Sequence, residues 1–155
     1  MAKEKNTDVG QLRFRKIGVI RTPFKSTDGM PIQPRFSKAR GTVILHKKYA
    51  KGLKDITGFS HVILIYHFHR SCKTKLHVRP YLDKATRGIF ATRSPHRPNK
   101  IGISVVKLTG VRGNVFHVQG IDALDGTPLL DIKPYIPPFE KTMKTRIGWL
   151  RGKVR

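Results

Sequence analysis

The strongest strand signal in the sequence is the stretch Phe59-Ser-His-Val-Ile-Leu-Ile-Tyr-His-Phe68. Successive side chains of an extended strand point to opposite faces. Here apolar residues occupy both sets of positions, with Val62, Leu64 and Tyr66 on one face and Ile63 and Ile65 on the other. A strand that is apolar on both faces is covered on both sides, so we expect this one in the middle of the fold.

Shorter strand patterns flank this segment on both sides. They cover residues 14–21, 41–46, 88–92, 101–111 and 114–121. Residues 22–38 are rich in proline and glycine and predict a loop, whereas Lys47 to Ile56 has a helical pattern with Tyr49 and Leu53 on one side. Many short strands with only one or two short helices predict a mostly β protein, an antiparallel barrel or sandwich.

The length of 155 residues is that of a single domain. Residues 1–11 have little hydrophobic pattern and are expected to form a mobile tail. The folded domain is expected to cover residues 12–138. Residues 139–155 form a basic C-terminal extension, predicted to be helical, with Ile147 and Leu150 packing back onto the domain.

The charge balance is extreme, with 32 Lys and Arg residues against nine Asp and Glu residues and a formal net charge of +23. A fold this basic is expected to bind a polyanion, and nucleic acid is favoured over a membrane. The sequence has no secretory signal, and no apolar run approaches the roughly 18 residues that span a bilayer. The lone Cys72 excludes an internal disulfide. We therefore expect a cytoplasmic protein that is not bound to a membrane.

Three of the few acids, Asp122, Asp125 and Asp131, lie within ten residues of one another. In so basic a chain, clustered carboxylates could hold a cationic ligand, accept a proton or coordinate a metal. The alternative is that Asp125-Gly126 forms a turn and the other acids pair with nearby arginines.

A second polar cluster is Ala91-Thr-Arg-Ser-Pro-His-Arg-Pro-Asn-Lys-Ile-Gly-Ile-Ser104, a loop stiffened by two prolines. Arg93 and Arg97 could clamp a carboxylate or phosphates, or the segment could be a surface loop only. His61, His67 and His69 share one parity, but no HExxH motif or cysteine pair supports a metal, and we predict none. GxGxxG, P-loop and GxSxG motifs are likewise absent from the sequence.

Two of these segments resemble the signatures of one family. Residues 88–104 are similar to G-x-F-A-T-R-S-x-x-R-P-N-P-I-G-x-S, and residues 122–137 to D-x-x-D-G-T-P-x-x-D-I-K-P-Y-x-P, of the TrmO, or TsaA-like, tRNA methyltransferases. The match spans about residues 14–138. It implies a small antiparallel β-barrel that forms a homodimer and binds S-adenosylmethionine near the subunit interface. The implied reaction is methylation of the exocyclic nitrogen of threonylcarbamoyladenosine, next to the anticodon of a tRNA.

The resemblance also implies site residues. The cofactor-binding positions would be Pro31, Ile32, Gln33, His69, Arg70, Arg93, Ile103, Asp125, Gly126, Thr127 and Pro128. The candidates for the general base are Asp125, His69 and Tyr135. The basic side chains expected to contact the tRNA anticodon stem-loop are Arg70, Lys73, Lys75, Arg79, Arg97, Lys100, Lys144 and Arg146, with Tyr81 and Trp149 available to stack on bases.

The chain departs from the family pattern at two positions. Ile32 stands where the family often has arginine, unless Arg35 substitutes for it, and Lys100 stands where the family has proline. The alternative to an enzyme is a non-catalytic basic RNA-binding β-barrel module, in which both motifs only shape loops. Such a module would bind RNA without cofactor affinity.

Overall fold

The computed structural model describes residues 10–31, 37–142 and 144–154. The described residues form eight strands and one short α-helix: β1 (Gly18–Arg21), β2 (Arg40–Leu45), β3 (His61–His67), β4 (His77–Val78), β5 (Arg87–Gly88), β6 (Ile101–Arg112), β7 (Val115–Gln119), β8 (Thr127–Pro134) and α1 (Pro137–Glu140). Four 3₁₀ helices cover Lys47–Leu53, Ile56–Gly58, Ile89–Ala91 and Gly148–Leu150. Most of the predicted mobile tail, residues 1–9, lies outside the described residues.

Six of the strands close into a barrel in the order β1-β2-β7-β6-β3-β8. Every neighbouring pair in this barrel is antiparallel. The segment with the strongest strand signal, β3, lies between the two longest strands, β6 and β8, as expected for a strand that is apolar on both faces. The predicted mostly β, antiparallel barrel is confirmed.

The two longest strands close the barrel because each pairs with a different neighbour along its two halves. Strand β6 pairs with β3 up to Lys107 and with β7 from Lys107 onward, with an irregular register between Leu108 and Gly110. Strand β8 pairs with β1 up to Leu129 and with β3 from Leu129 onward. Such irregularities bend a strand and let a small sheet turn its corners.

Inward-facing side chains fill the barrel. Phe116, the largest fully buried residue, packs among aliphatic side chains that include Ile20, Val43, Leu64, Val106, Val118 and Leu129. Burying each such side chain contributes on the order of 2 kcal/mol. The strands pack around this apolar core, and the polar cleft described below lies at one end of the barrel.

Four sequence-based expectations about the elements change. The helix predicted over residues 47–56 is a 3₁₀ helix over Lys47–Leu53, in a segment too short for a stable α-helix and containing Gly52. The strand predicted at 88–92 is a two-residue bridge followed by a 3₁₀ turn, and the strand predicted from Phe14 begins only at Gly18. Strand β8 was not predicted, because two prolines and an aspartate interrupt its apolar pattern.

The predicted terminal helix is also wrong within the described residues. Gly148 and Gly152 adopt positive φ angles of 53° and 78°, which end a right-handed helix. The extension docks instead through Trp149, whose Nε1 donates to the Ala91 carbonyl at 2.8 Å, and through Lys153, whose Nζ lies 2.8 Å from Asp83 Oδ1. Among the residues described, no helix has the length and hydropathy needed to cross a membrane.

Candidate active site

A cleft of about 740 Å³ opens at one end of the barrel. The end of β3 and the start of β6 form one wall, and the loop before β6, the β7–β8 turn and the loop after β1 form the others. Its size is typical of small-molecule sites. The lining side chains important here are Phe68, His69, Arg70, Arg93, Ile101, Ile103, Asp122, Leu124 and Thr127.

The β7–β8 turn is tied to the rest of the barrel by buried hydrogen bonds. Thr22 Oγ1 donates to the Ala123 carbonyl at 2.8 Å, and Ser37 Oγ donates to the Ile121 carbonyl at 2.5 Å. Both hydroxyls are buried, so these bonds are shielded from water. The two carbonyls flank Asp122, which is therefore held in a fixed position on the cleft wall.

Asp122 belongs to a chain of hydrogen bonds that begins inside the barrel. Ser104 Oγ donates to Asp122 Oδ1 at 2.5 Å, and Tyr66 Oη lies 2.9 Å from the same Ser104 oxygen. A serine hydroxyl has one proton, so Tyr66 is the donor to Ser104 when Ser104 donates to Asp122. Ser104 and Tyr66 are 1% and 3% exposed, respectively, which makes the chain of bonds rigid.

Burial decides the electrostatics of Asp122. It raises the pKa of this carboxyl to about 6, against the opposing effects of the Ser104 hydrogen bond and the charge of Arg93. Burial also raises the pKa of Tyr66, and the neighbouring Asp122 charge acts in the same direction. At neutral pH, Asp122 is thus an ionised carboxylate of unusually high basicity, next to a phenol that keeps its proton.

Sequence reasoning missed this group of three residues. It singled out Asp122 as a member of the acidic cluster, but it did not connect it with Tyr66 or Ser104. A signal was present in β6, where alternate residues face inward and Ser104 is the polar residue between Gly102 and Val106. A polar residue at a core position needs a buried partner.

Asp125 lies only three residues further along but has different surroundings. Its carboxylate forms ion pairs with Lys25 and with Arg21, the latter at 3.3 Å, and it accepts the Thr22 backbone N–H at 3.0 Å. The Lys25 hydrogen bond is the main cause of a lowered Asp125 pKa. Gly126 has a φ of 78°, so Asp125-Gly126 forms the turn that the structural alternative predicted. Of the other two acids, Asp131 pairs with Lys133 at 3.0 Å rather than with an arginine, and Asp122 has no ion-pair partner among the described residues.

The loop between β5 and β6 places Arg93 on the cleft wall. Arg97 Nη1 donates to the backbone carbonyls of Ile89 and Thr92, at 3.2 and 2.6 Å, and so holds the two parts of the loop together. In the described part of the chain, no hydrogen bond or ion pair engages the exposed Arg93 guanidinium. It is therefore available to bind an anion that enters the cleft.

Lys100 ends this loop with a φ of 44°. Proline is locked near −65° and cannot adopt this angle. The proline that the family pattern has at this position would thus require a different backbone here. Lys100 Nζ donates to Thr74 Oγ1 at 3.1 Å, which joins the loop to the segment after β3.

His69 and Arg70 follow β3 on the opposite wall. Burial, followed by the charges of Arg70 and His67, lowers the pKa of His69, so its imidazole is neutral at physiological pH. Arg70 Nη1 donates to the Lys25 carbonyl at 2.9 Å, which connects this wall to the loop after β1.

The structure brings together about half of the cofactor positions implied by the resemblance. Pro31, His69, Arg70, Arg93, Ile103 and Thr127 line the cleft, whereas Asp125, Gly126 and Pro128 flank it without lining it. Ile32, Gln33 and Arg35 lie outside the described residues.

Tyr135, a candidate base, is not among the residues that line the cleft. It lies at the other end of β3, where its backbone N–H donates to the His61 carbonyl at 3.1 Å and the two rings are 6.4 Å apart. Six residues of strand, about 20 Å, separate His61 from His67 at the cleft end. The three histidines therefore do not converge, and the described chain holds no cluster of three potential metal ligands.

The side chains predicted to contact RNA divide into two groups. Arg70 and Arg97 line the cleft. Most of the others are exposed and do not line the cleft: Lys73, Lys75, Arg79, Lys144 and Arg146. Lys100, half-buried, contacts Thr74 as described above.

Comparison with known proteins places these features in a family. The profile of the tRNA-methyltransferase O N-terminal domain matches residues 19–141. A probable S-adenosyl-L-methionine-binding protein from Pyrococcus abyssi is 51% identical over 142 residues, covering 91% of this chain and 77% of that protein. The human tRNA (adenine(37)-N6)-methyltransferase is 38% identical over 86% of this chain, which corresponds to 32% of its own length.

A solved structure shows the same relationship. The crystal structure of TrmO from Pseudomonas aeruginosa superimposes with a TM-score of 0.77 and 38% identity, covering 91% of this chain and 63% of that one. This chain thus spans less than two thirds of the solved structure and about one third of the human relative. The extent of the profile match and these identities establish that the chain belongs to the tRNA-methyltransferase O family.

Proposed function

We propose that this protein transfers a methyl group from S-adenosylmethionine to the exocyclic nitrogen of threonylcarbamoyladenosine, next to the anticodon of a tRNA. The observation that carries the proposal is the cleft at the barrel end, with a partly buried Asp122 carboxylate and an Arg93 guanidinium that no described residue engages on its walls. Family membership and the S-adenosylmethionine-binding relatives support the same cofactor.

The cleft fits this cofactor chemically. Arg93 presents a planar, doubly donating group suited to the methionyl carboxylate. Apolar side chains, among them Phe68, Ile101 and Leu124, provide surface for the uncharged parts of the ligand. When bound, S-adenosylmethionine supplies an activated methyl group, and the protein contributes alignment of the two reactants.

The charge of the chain supports a tRNA substrate. Lys73, Lys75 and Arg79 are exposed and come shortly after the cleft-lining residues Arg70 and Ser71 in the sequence. The C-terminal extension adds the exposed Lys144 and Arg146. Phosphate contacts from such residues supply affinity that depends strongly on salt. Bases of an anticodon loop are already unstacked in part, so bringing one of them into the cleft costs less than extracting it from a duplex.

A homodimer is part of the proposal. On the outer face of β6, Ile101, Ile103 and Val105 are 38%, 49% and 38% exposed, which makes an apolar row on the barrel surface. The first two also line the cleft. A second copy seated on this face would bury the row and cover the cleft at the same time. Val105→Asp should convert a dimer into a monomer in sedimentation; a monomeric wild-type protein would contradict this part.

The first test is calorimetric titration of S-adenosylmethionine into the purified protein, with and without tRNA. We expect saturable binding that Arg93→Ala weakens at least about tenfold, the loss of one charge-assisted contact. Arg112→Ala, a change of an exposed arginine at the far end of β6, is the matched control and should bind like the wild type.

The second test is nucleoside mass spectrometry of threonylcarbamoylated tRNA after incubation with methyl-labelled cofactor. A mass gain of one labelled methyl group on the modified adenosine is the expected result. Cofactor binding without this product would overturn the substrate assignment. Tight, salt-sensitive RNA binding with no cofactor affinity under either condition would instead favour the non-catalytic RNA-binding module.

A further inference from the structure

The cofactor assignment leaves the best-defined polar group in the cleft without a role. Asp122 is held by a chain of buried hydrogen bonds, and its carboxylate lies on the cleft wall. From this geometry we infer that Asp122 is the general base of the reaction, with Ser104 and Tyr66 as positioning residues. The inference rests on the proposed function.

The proposed reaction needs a base. The target nitrogen belongs to a urea-like group, whose electron pair is delocalised into the neighbouring carbonyl and ring. As the new nitrogen–carbon bond forms, the sulfur–carbon bond of the donor breaks and the sulfur keeps its electron pair. The proton on the nitrogen passes to the Asp122 carboxylate, which balances the charge lost by the sulfonium.

The two carboxylate oxygens of Asp122 have different surroundings. Oδ1 accepts the Ser104 hydroxyl proton. In the part of the chain that the structure describes, no other residue donates a hydrogen bond to Oδ2, and Asp122 lines the cleft. Oδ2 is therefore the oxygen placed to accept a proton from a group bound in the cleft.

The other candidates fit this role less well. The Asp125 carboxylate is engaged by two cations and a backbone N–H, and it does not line the cleft. Tyr135 lies at the opposite end of β3. His69 lines the cleft in its neutral form, but the structure gives its ring no partner that would fix its orientation among the described residues.

Ser104 and Tyr66 fix where the base points and how basic it is. The Ser104 hydrogen bond lowers the Asp122 pKa from the higher value that burial alone would give. Since Tyr66 donates to Ser104, it orients the serine proton toward Asp122. The network thereby keeps the carboxylate ionised at neutral pH and engages it through Oδ1.

The test compares Asp122→Asn with Asp55→Asn, a matched carboxylate-to-amide change outside the cleft. Asp55 has a φ of 66°, which asparagine tolerates well. We expect Asp122→Asn to lower kcat on modified tRNA by at least about 100-fold, the usual contribution of a general base. Its affinity for S-adenosylmethionine should stay within about threefold of the wild type, a difference of less than 1 kcal/mol.

A pH profile distinguishes a base from a structural residue. Wild-type kcat should fall below about pH 6, as Asp122 becomes protonated. Ser104→Ala removes a bond that stabilises the carboxylate, so the acidic limb should move to higher pH. An NMR titration of the Asp122 carboxyl, without cofactor or tRNA, should likewise give a higher pKa in Ser104→Ala than in the wild type.

The possible outcomes separate the two proposals. An active wild type together with an active Asp122→Asn variant would overturn the base assignment and leave the proposed function intact. So would an acidic limb unmoved by Ser104→Ala, or a His69→Gln variant that alone loses turnover. A wild type that binds cofactor but never methylates modified tRNA would overturn the proposed function, and the base assignment with it.

Discussion

The two ends of the Asp122–Asp125 turn differ in almost every physical respect. At one end, Asp122 is partly buried, hydrogen-bonded to a neutral hydroxyl, and has its pKa raised to about 6 by burial. At the other, Asp125 is paired with Lys25 and Arg21 and has its pKa lowered. The side chains are chemically identical, so the surroundings alone make one basic and the other inert.

This contrast shows what stabilises the fold and what prepares the site. Asp125 links the turn to the end of β1 through Thr22 and the two cations, and so contributes to structure. Asp122 has no cation within ion-pair distance among the described residues, and its burial opposes ionisation. A group held in an unfavourable charged state is typical of a functional site. Substitutions at the two ends should therefore have opposite effects on stability.

The largest effect is expected from Gly102→Ala, which would disrupt the Asp122 end alone. A Cβ at this position would overlap the Tyr66 ring and come within 2.8 Å of Phe68 Cζ. Tyr66 would have to move away from Ser104, and the cleft wall would change shape. We expect a loss of about 1–3 kcal/mol in the free energy of unfolding. Cofactor affinity should fall at least about tenfold, since one misplaced wall costs about 1.4 kcal/mol or more.

Denaturant unfolding and calorimetry would measure these two effects. Gly52→Ala is the control, because an added Cβ there meets nothing within 4 Å. If Gly102→Ala bound cofactor as well as Gly52→Ala, the Tyr66–Ser104–Asp122 arrangement would not be needed for the site.

The second prediction concerns the free energy of unfolding of the Asp122→Asn variant, and whether this free energy rises or falls is the informative result. The carboxyl titrates at its ordinary pKa of 3.8 in the unfolded chain and at about 6 in the folded protein. The folded state therefore binds the proton more tightly, and stability from this group falls as the pH rises from about 4 to about 6. Near pH 7, Asp122→Asn should be more stable than the wild type, by up to about 3 kcal/mol.

The difference should disappear near pH 3, where the carboxyl is neutral in both the folded and the unfolded states. Thermal melts of both proteins at the two pH values would measure it. A variant less stable than the wild type near neutrality would mean that ionised Asp122 stabilises the fold. A variant that is more stable but inactive would show a site that sacrifices stability for function.

Much of the barrel could be read from local sequence, and the reason is physical. Strands β6 and β7 have apolar residues at the period of a strand, and β3 is a continuous apolar run; both patterns depend on neighbours only a few residues away. Strand β8 escaped notice because its prolines and Asp131 are tolerated only by the particular partners it meets in the barrel. The sequence pattern contains no information on those partners.

The site was predictable only in part for the same reason. Arg93 and His69 lie in segments whose resemblance to a family pointed to them directly. The Tyr66–Ser104–Asp122 chain joins residues 38 and 18 positions apart, and only the register of β3 against β6 brings the first two together. Which aspartate of the turn faces the cleft likewise depends on where Arg21 and Lys25 lie.

The smallest effect is expected from Asp125→Asn, which tests the other end of the turn. Both cationic partners are more than half exposed, so their ion pairs are screened, and the backbone hydrogen bond adds a comparable amount. We expect a loss of about 1 kcal/mol near neutral pH. Because folding lowers this pKa, the stabilisation is present above the unfolded value of 3.8 and is lost as the pH falls through the folded value. Unfolding curves at several pH values and two salt concentrations would measure the loss. A gain in stability, as expected for Asp122→Asn, would contradict the assignment of opposite roles to these two carboxylates.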